Sequence, residues 1–242
     1  GSEDGSHILS GCVMNPRGLD ELIPNWRELG FPVTTEVKKD KIVYFTKSKQ
    51  YKLPLPSDWS NYGNYIISLS QLCRKLAEYA ESLGVEIYPG FAAKSALIED
   101  GILKGILTGD MGLARDGTPS ANYQPGIEIR AKQTILAEGC RGSVSKQLIE
   151  YFKLNADSQA QTYGLGIKEI WRVDPKKHRL GNVTHTLGYP LDAQTYGGGF
   201  VYHLAGGLVS VGLVTALDYQ NPYLSPYEEF QRFKLHPNIK RL

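Results

Sequence analysis

The chain has 242 residues, 41% of them hydrophobic, and 27 Lys and Arg against 25 Asp and Glu, a net charge of +2. That is a globular composition able to build a core, and with no block of five or more like charges it excludes a nucleic-acid stripe or an acidic tail. No apolar run approaches the roughly 20 residues that cross a bilayer, and Cys12, Cys73 and Cys140 lie too far apart for a C-x-x-C metal site or a disulfide framework.

Residues 8–14 read as extended. After Pro16 and Gly18 a helix is predicted over 19–29, closed by Gly30, with Leu22 and Trp26 on its apolar face. Strands follow at 41–46 and 50–53, and then a loop marked by Pro54, Pro56, Asp58, Asn61 and Gly63. Ser68 and Gln71 have capping-box spacing. Leu69, Leu72, Leu76, Ala80 and Leu83 recur at helical steps as far as Gly84, which predicts a helix and then a strand at 85–88. Between 92 and 108 two strand-like runs flank Asp100-Gly101, a hairpin signal, while 109–125 reads as a loop and 126–130 as a returning strand. Strands over 163–173, 182–189, 199–204 and 208–217 precede a helix over 227–235, with Ser225 as its cap and Pro226 at its first position. This order predicts an α+β chain: a βα unit with a β-meander, then a mainly antiparallel sheet backed by helices.

Two glycine-bearing segments could carry chemistry. In Gln133-Thr-Ile-Leu-Ala-Glu-Gly-Cys-Arg-Gly-Ser-Val-Ser-Lys146 a strand over 134–137 would end at Glu138-Gly139, where Gly139 and Gly142 leave the backbone open to a ligand. The helix that follows would aim amide groups at an anion such as a dinucleotide pyrophosphate. An ordinary βα corner has the same residues, and no G-x-G-x-x-G fingerprint precedes it. In Asp192-Ala-Gln-Thr-Tyr-Gly-Gly-Gly199 three glycines expose backbone amides beside Tyr196 and Phe200, which suits a planar carbonyl-bearing ligand such as a quinone ring, or a hairpin with a glycine bulge.

His178, His185, His203 and His236 lack metal-ligand spacing, and His185 and His203 alternate with apolar strand residues, which reads as core or pocket edge rather than acid–base catalysis. With no G-x-S-x-G and no paired carboxylates, hydrolysis has no support and no catalytic residue is assigned. The tyrosine- and proline-rich segment 218–227 suits a boundary between water and an apolar phase, or a rigid surface loop.

Together His7-Ile-Leu-Ser-Gly11, Gly84-Val-Glu-Ile-Tyr-Pro-Gly90, Ala137-Glu-Gly-Cys-Arg-Gly142, Gln161-Thr-Tyr-Gly-Leu-Gly-Ile-Lys-Glu169, Thr195-Tyr-Gly-Gly198 and Leu217-Asp-Tyr-Gln-Asn-Pro-Tyr-Leu-Ser-Pro226 resemble the electron-transfer flavoprotein:ubiquinone oxidoreductase family, in the same order along almost the whole chain. The resemblance implies a monotopic flavoprotein that takes electrons from reduced electron-transfer flavoprotein. They would pass through FAD and a [4Fe–4S] cluster to ubiquinone, at the matrix side of the mitochondrial inner membrane or the cytoplasmic face of a bacterial one. It places Ser10 and Gly11 near the flavin, Glu138, Gly139, Arg141 and Gly142 in the second FAD-contacting turn, and Tyr196, Gly197 and Gly198 at the quinone ring. It divides the chain into residues 1–148, an incomplete FAD-binding domain interrupted at about 19–61, and residues 149–242, part of a ubiquinone-binding domain. The family's first glycine fingerprint and its cluster cysteines have no counterpart in the sequence, which implies an internal piece of a longer chain. The alternatives are a flavin-dependent reductase or monooxygenase acting on a polyprenyl or aromatic substrate, and a non-catalytic quinone- or lipid-surface-binding module.

Overall fold

In the computed structural model, which describes residues 3–8 and 11–242, the chain opens with β1 (Cys12–Met14), α1 (Arg17–Leu22), β2 (Thr35–Glu36), β3 (Lys39–Phe45), β4 (Gln50–Leu53), β5 (Tyr65–Ile67) and α2 (Leu69–Ser82). It continues with β6 (Ala93–Glu99), β7 (Ile102–Thr108), β8 (Met111–Leu113), β9 (Pro119–Gln124), β10 (Glu128–Arg130) and α3 (Ser143–Phe152). The last third holds β11 (Gly164–Arg172), β12 (Asn182–Gly188), β13 (Gly197–His203), β14 (Leu208–Ala216), α4 (Pro226–Leu235) and α5 (Pro237–Lys240). Mixed α and β elements with mainly antiparallel sheets make this an α+β fold. Contacts gather the described residues into two compact units: residues 3–87 with 161–242, and residues 88–160. These units cut across a division at residue 148, because β3 and β4, from the first quarter of the chain, join the sheet of the last third.

The first unit is built on a six-stranded sheet in the order β11-β14-β13-β12-β3-β4, antiparallel throughout except for the parallel pair β12 and β3. One face is closed by α4 and α5: Phe230, Phe233 and Ile239 pack with Val43, Val209 and Val211. Ser225 caps α4 by accepting the Glu228 amide, as its position before Pro226 predicts. On the other face Tyr202 and Val183 meet Val37 and Ile66, so part of the sheet is covered by the small antiparallel sheet β1-β5-β2. Beneath that small sheet Leu19, Ile23, Trp26, Phe31, Ile67 and Leu72 bury α1 and α2.

Two expectations for this unit are corrected. The helix predicted over 19–29 is only Arg17–Leu22, because Pro24 has no amide to donate and its ring disfavours helical geometry at Ile23, whose ψ is 77°. Trp26 is still buried, but Leu22 points to solvent. The strand expected at 85–88 belongs to no sheet among the described residues. The helix before it ends as its sequence predicts: Gly84 has φ +88°, its amide bonds the Glu81 carbonyl, and the Val85 amide bonds that of Ala80.

The second unit starts with the hairpin β6–β7, where Asp100 and Gly101 both take left-handed φ values of 50° and 74°. β10 adds to the other edge of β7. The stretch 109–125, expected as a loop, instead forms a second hairpin from β8 and β9, turned at Asp116-Gly117, where the Asp116 carboxylate accepts the Thr118 amide. α3 lies against β6, and Gln147 bridges the backbone by donating to the Lys94 carbonyl and accepting the Ala96 amide. The strand expected over 134–137 is likewise absent from every sheet among the described residues. Apolar runs become strands only when a neighbouring ladder takes up their amides and carbonyls, and here none does.

Candidate functional site

Strand register decides which side chains of the first unit share the open part of the sheet. Ile42, His185 and Phe200 stand opposite one another across β3, β12 and β13, and Asp40, Val183 and Tyr202 do so two residues along. Beyond the small sheet this face opens into a groove of about 780 Å³ with Ile42, Trp59, Leu187 and Phe200 among its walls. Gly197 and Gly198 line it too, and Tyr196 stands at it 86% exposed. The three residues that the resemblance places at a quinone ring therefore lie along one apolar groove.

Gly198 and Gly199 are glycine for different physical reasons. Gly199 belongs to the opposite face: its amide donates to Thr186 Oγ1 at 3.1 Å, and a side chain there would collide with the ring of Phe233 from α4. A Cβ on Gly198 would stand 2.5 Å from the Thr186 carbonyl oxygen and 3.5 Å from Leu187, so glycine there lets β12 and β13 run close together. Gly212 is a fourth, unforeseen member, since a side chain on it would occupy the place of the Phe200 ring.

The polar groups of the groove come from neighbouring strands. His185 Nε2 and Tyr202 Oη are hydrogen-bonded at 2.8 Å, and the Tyr202 ring stacks on Phe200 with centroids 4.7 Å apart. Burial lowers the pKa of His185, opposed by the charge of Asp40, and burial raises that of Tyr202, with Cys12 and Asp40 adding to the effect. Asp40 is itself buried; its Oδ2 accepts the backbone and side-chain N–H groups of Asn61 at 2.8 and 3.0 Å.

His185, Phe200 and Tyr202 also form one side of a second cavity, of about 430 Å³, which Gly11, Cys12, Asn61 and Lys168 line as well. Gly11 has φ +84°, and its carbonyl accepts Lys168 Nζ at 2.8 Å. Burial depresses the Lys168 ammonium pKa, which the nearby Cys12 partly offsets. Ser10, assigned with Gly11, lies outside the described residues.

In the second unit Gly139 turns the chain with φ +75°, and a side chain built there meets nothing within 4 Å, so the turn's backbone faces open space. Arg141 follows, and Gly142 is the N-cap residue of α3. The anion at that helix terminus is the protein's own. Glu138 accepts the Val144 amide at 3.2 Å and the Ser145 amide and hydroxyl at 2.7 Å each, and these bonds lower its pKa. The helix therefore does not hold out a free first turn to a phosphate, as the sequence suggests; what it leaves open is the Gly139 turn itself. Among the described residues no three His, Cys, Asp or Glu side chains converge as a metal site, and no helix is long and apolar enough to cross a membrane.

Sequence reasoning missed Trp59, Ile42 and Asp40, because nothing local announces that β3 pairs with β12. Tyr202 was missed as well, while His185 was legible in part: Val183, His185 and Leu187 alternate on one face of β12, which is the pocket-edge reading of that histidine.

Comparison with known proteins bears on the same residues. The family described as "ETF-QO, ubiquinone-binding" matches residues 163–242, which include β11 to β14 and α4. The chain is 54% identical over 241 residues to the mitochondrial electron transfer flavoprotein-ubiquinone oxidoreductase of Dictyostelium discoideum, covering 99% of this chain and 40% of that protein. It is 55% identical over 248 residues to the protein of the same name from Pseudomonas aeruginosa (100% and 45%), and 50% identical over 243 residues to the mitochondrial one of Bos taurus (98% and 39%). The chain thus spans less than half the length of these relatives. Among solved structures it resembles a geranylgeranyl bacteriochlorophyll reductase-like protein from Thermoplasma acidophilum, with a TM-score of 0.65 at 19% identity over 99% of this chain and 55% of that one. It also resembles a flavin-dependent brominase, with a TM-score of 0.54 at 15% identity over 99% and 56%. These two share the fold.

Proposed function

Since the chain belongs to the electron transfer flavoprotein-ubiquinone oxidoreductase family, we propose that it carries the quinone groove and part of the FAD site of an oxidoreductase that passes electrons from reduced electron-transfer flavoprotein to ubiquinone. The observation that carries this reading is the groove: apolar walls for a ring and its isoprenoid tail, with Tyr196, Gly197 and Gly198 along it, inside the stretch matched by the ubiquinone-binding family.

FAD, when bound, would accept the electrons and pass them on. Its fit to this chain is supported at two places. In the second unit the open Gly139 turn would receive it, with Arg141 and Gly142 beside it and Glu138 holding the turn against α3. In the first unit Gly11, and in sequence Ser10, would lie against it at the cavity that Lys168 and Cys12 line. The residues here do not fit a [4Fe–4S] cluster, whose four thiolates this chain's three cysteines cannot supply, so the cluster would be held by parts of the relatives' length that this chain does not span. The reaction would take place at a membrane surface, with exposed Tyr223 and Tyr227 on the boundary. The mitochondrial names of the Dictyostelium and Bos relatives support a mitochondrial location, and the Pseudomonas relative a bacterial counterpart; in this reading the site would face the matrix side of the inner membrane or the cytoplasmic side of a bacterial one.

The test uses the complete flavoprotein. Leu187 lines the groove and is partly exposed there, so Leu187→Trp fills the ring's place without the backbone collision that any side chain at Gly198 would cause. Reduction of a short-chain ubiquinone is expected to fall roughly 5- to 100-fold, since overfilling a packed site costs on the order of 1–3 kcal/mol, with flavin content unchanged. Normal quinone kinetics in this variant would remove the groove assignment.

A further inference from the structure

A quinone becomes a quinol by gaining two protons as well as two electrons, and the groove's walls are otherwise apolar. His185 is the one imidazole among the described groove-lining residues. Its Nε2 is held by Tyr202 Oη at 2.8 Å, and its Nδ1 makes no hydrogen bond among the described residues. Asp40 stands on β3 level with Tyr202 across Val183 of β12, one alternation from His185 on the same sheet face. Two bonds from Asn61 fix one carboxylate oxygen of Asp40, while Oδ1 is buried with no partner, and its charge acts on both His185 and Tyr202. A buried carboxylate, an imidazole and a phenol that opens onto an apolar groove have the composition of a proton-delivery group.

We propose that His185 is the proton donor to the quinone reduced in this groove, with Tyr202 as the residue that orients its ring and Asp40 as the buried carboxylate beside the pair on the same sheet face. The proposal rests on the quinone reading of the groove. In the step, the reduced flavoprotein donor supplies two electrons, one quinone C=O becomes C–OH by taking the Nδ1 proton of the imidazolium, and the second oxygen takes its proton from water at the groove's open side. The ring, left neutral, regains its proton from solvent by the same opening. Tyr202 keeps its proton throughout, since burial holds its phenol well above the ordinary value. The groups that face this histidine are Asp40 from β3, Tyr202 from β13, Lys168 from β11 and Cys12 from β1 across the second cavity, and Tyr196 on the groove.

A donor works only while protonated, so quinone turnover is expected to fall as pH rises through the His185 titration, and Asp40→Asn should move that fall to lower pH. In the complete flavoprotein, His185→Gln is expected to slow ubiquinone-1 reduction about 100-fold, while ferricyanide, which takes electrons without protons, is reduced at the wild-type rate. Tyr202→Phe, a smaller change that any loss of flavin in the first variant would bring to the fore, should shift the pH profile of ubiquinone-1 reduction and leave ferricyanide untouched. Wild-type quinone rates and pH profiles in His185→Gln, or in Tyr202→Phe where that variant decides, would overturn the proposal. So would an equal loss with ferricyanide, which marks a structural role. A wild-type protein that reduces ferricyanide but no quinone would overturn the parent reading of the groove instead.

Discussion

Gly199 and Phe233 show how one residue position ties the groove to the core. The glycine leaves room on the helix side of the sheet for a ring that is fully buried between β13 and the rest of the cluster around Phe45 and Val211. Phe233→Ala removes that ring and is expected to cost about 3–5 kcal/mol of stability, as large-to-small changes in a packed core do. A urea titration reads this directly. A cost below about 1 kcal/mol would mean that α4 does not brace the sheet. The third glycine of the run was legible in the sequence as a glycine but not as a packing residue, because its reason lies in a helix more than thirty positions away.

Among the elements, those punctuated by local chemistry could be read and those set by distant partners could not. Asp100-Gly101 fixed the β6–β7 hairpin through its two left-handed residues, and the Ser225-Pro226 pair marked the start of α4. The same Asp-Gly signal at Asp116-Gly117 was hidden by a polar, glycine-rich neighbourhood and read as loop. The runs 85–88 and 134–137 have strand composition, yet composition does not provide the partner a ladder requires. The α3 terminus shows an interaction between elements that no periodicity reveals, since Glu138 reaches forward across the turn to serve as its cap. Glu138→Ala should cost about 1 kcal/mol, the usual value of a helix cap, and should speed hydrogen exchange at the amides of Val144 and Ser145. Because folding lowers the Glu138 pKa, the cap is fully present above the ordinary carboxylate range and is lost as pH falls through the folded value. Unaltered exchange at those two amides in Glu138→Ala would exclude the cap.

At the scale of the whole molecule, buried imidazoles set a direction for acid stability. Burial lowers the pKa of His185, His203 and His236, and His203, close to His178, Arg179 and Lys41, is pushed down to about 4 from 6.5. A base whose folded pKa lies below its unfolded one binds more protons when unfolded, so its contribution is full above 6.5 and is lost as pH falls toward 4. The urea midpoint should therefore drop between pH 7 and pH 5, with His203 alone responsible for about 1–2 kcal/mol. His203→Gln should flatten that dependence, and an unchanged slope would mean that the imidazole stays solvated.

The parallel pair β3 and β12 places residues 39–45 beside residues 182–188, so neighbouring walls of the groove come from stretches far apart in sequence. During synthesis β3 leaves the ribosome roughly 140 residues ahead of the strand it pairs with, a wait on the order of ten seconds at about 5–20 residues per second. For that interval Ile42, Val43 and Phe45 have no sheet to enter beyond the hairpin with β4, and the nascent chain presents an apolar edge of the kind that chaperones hold. Biogenesis of the groove is thus a late event, and its yield should depend on translation speed between those two strands more than on the stability of the finished fold.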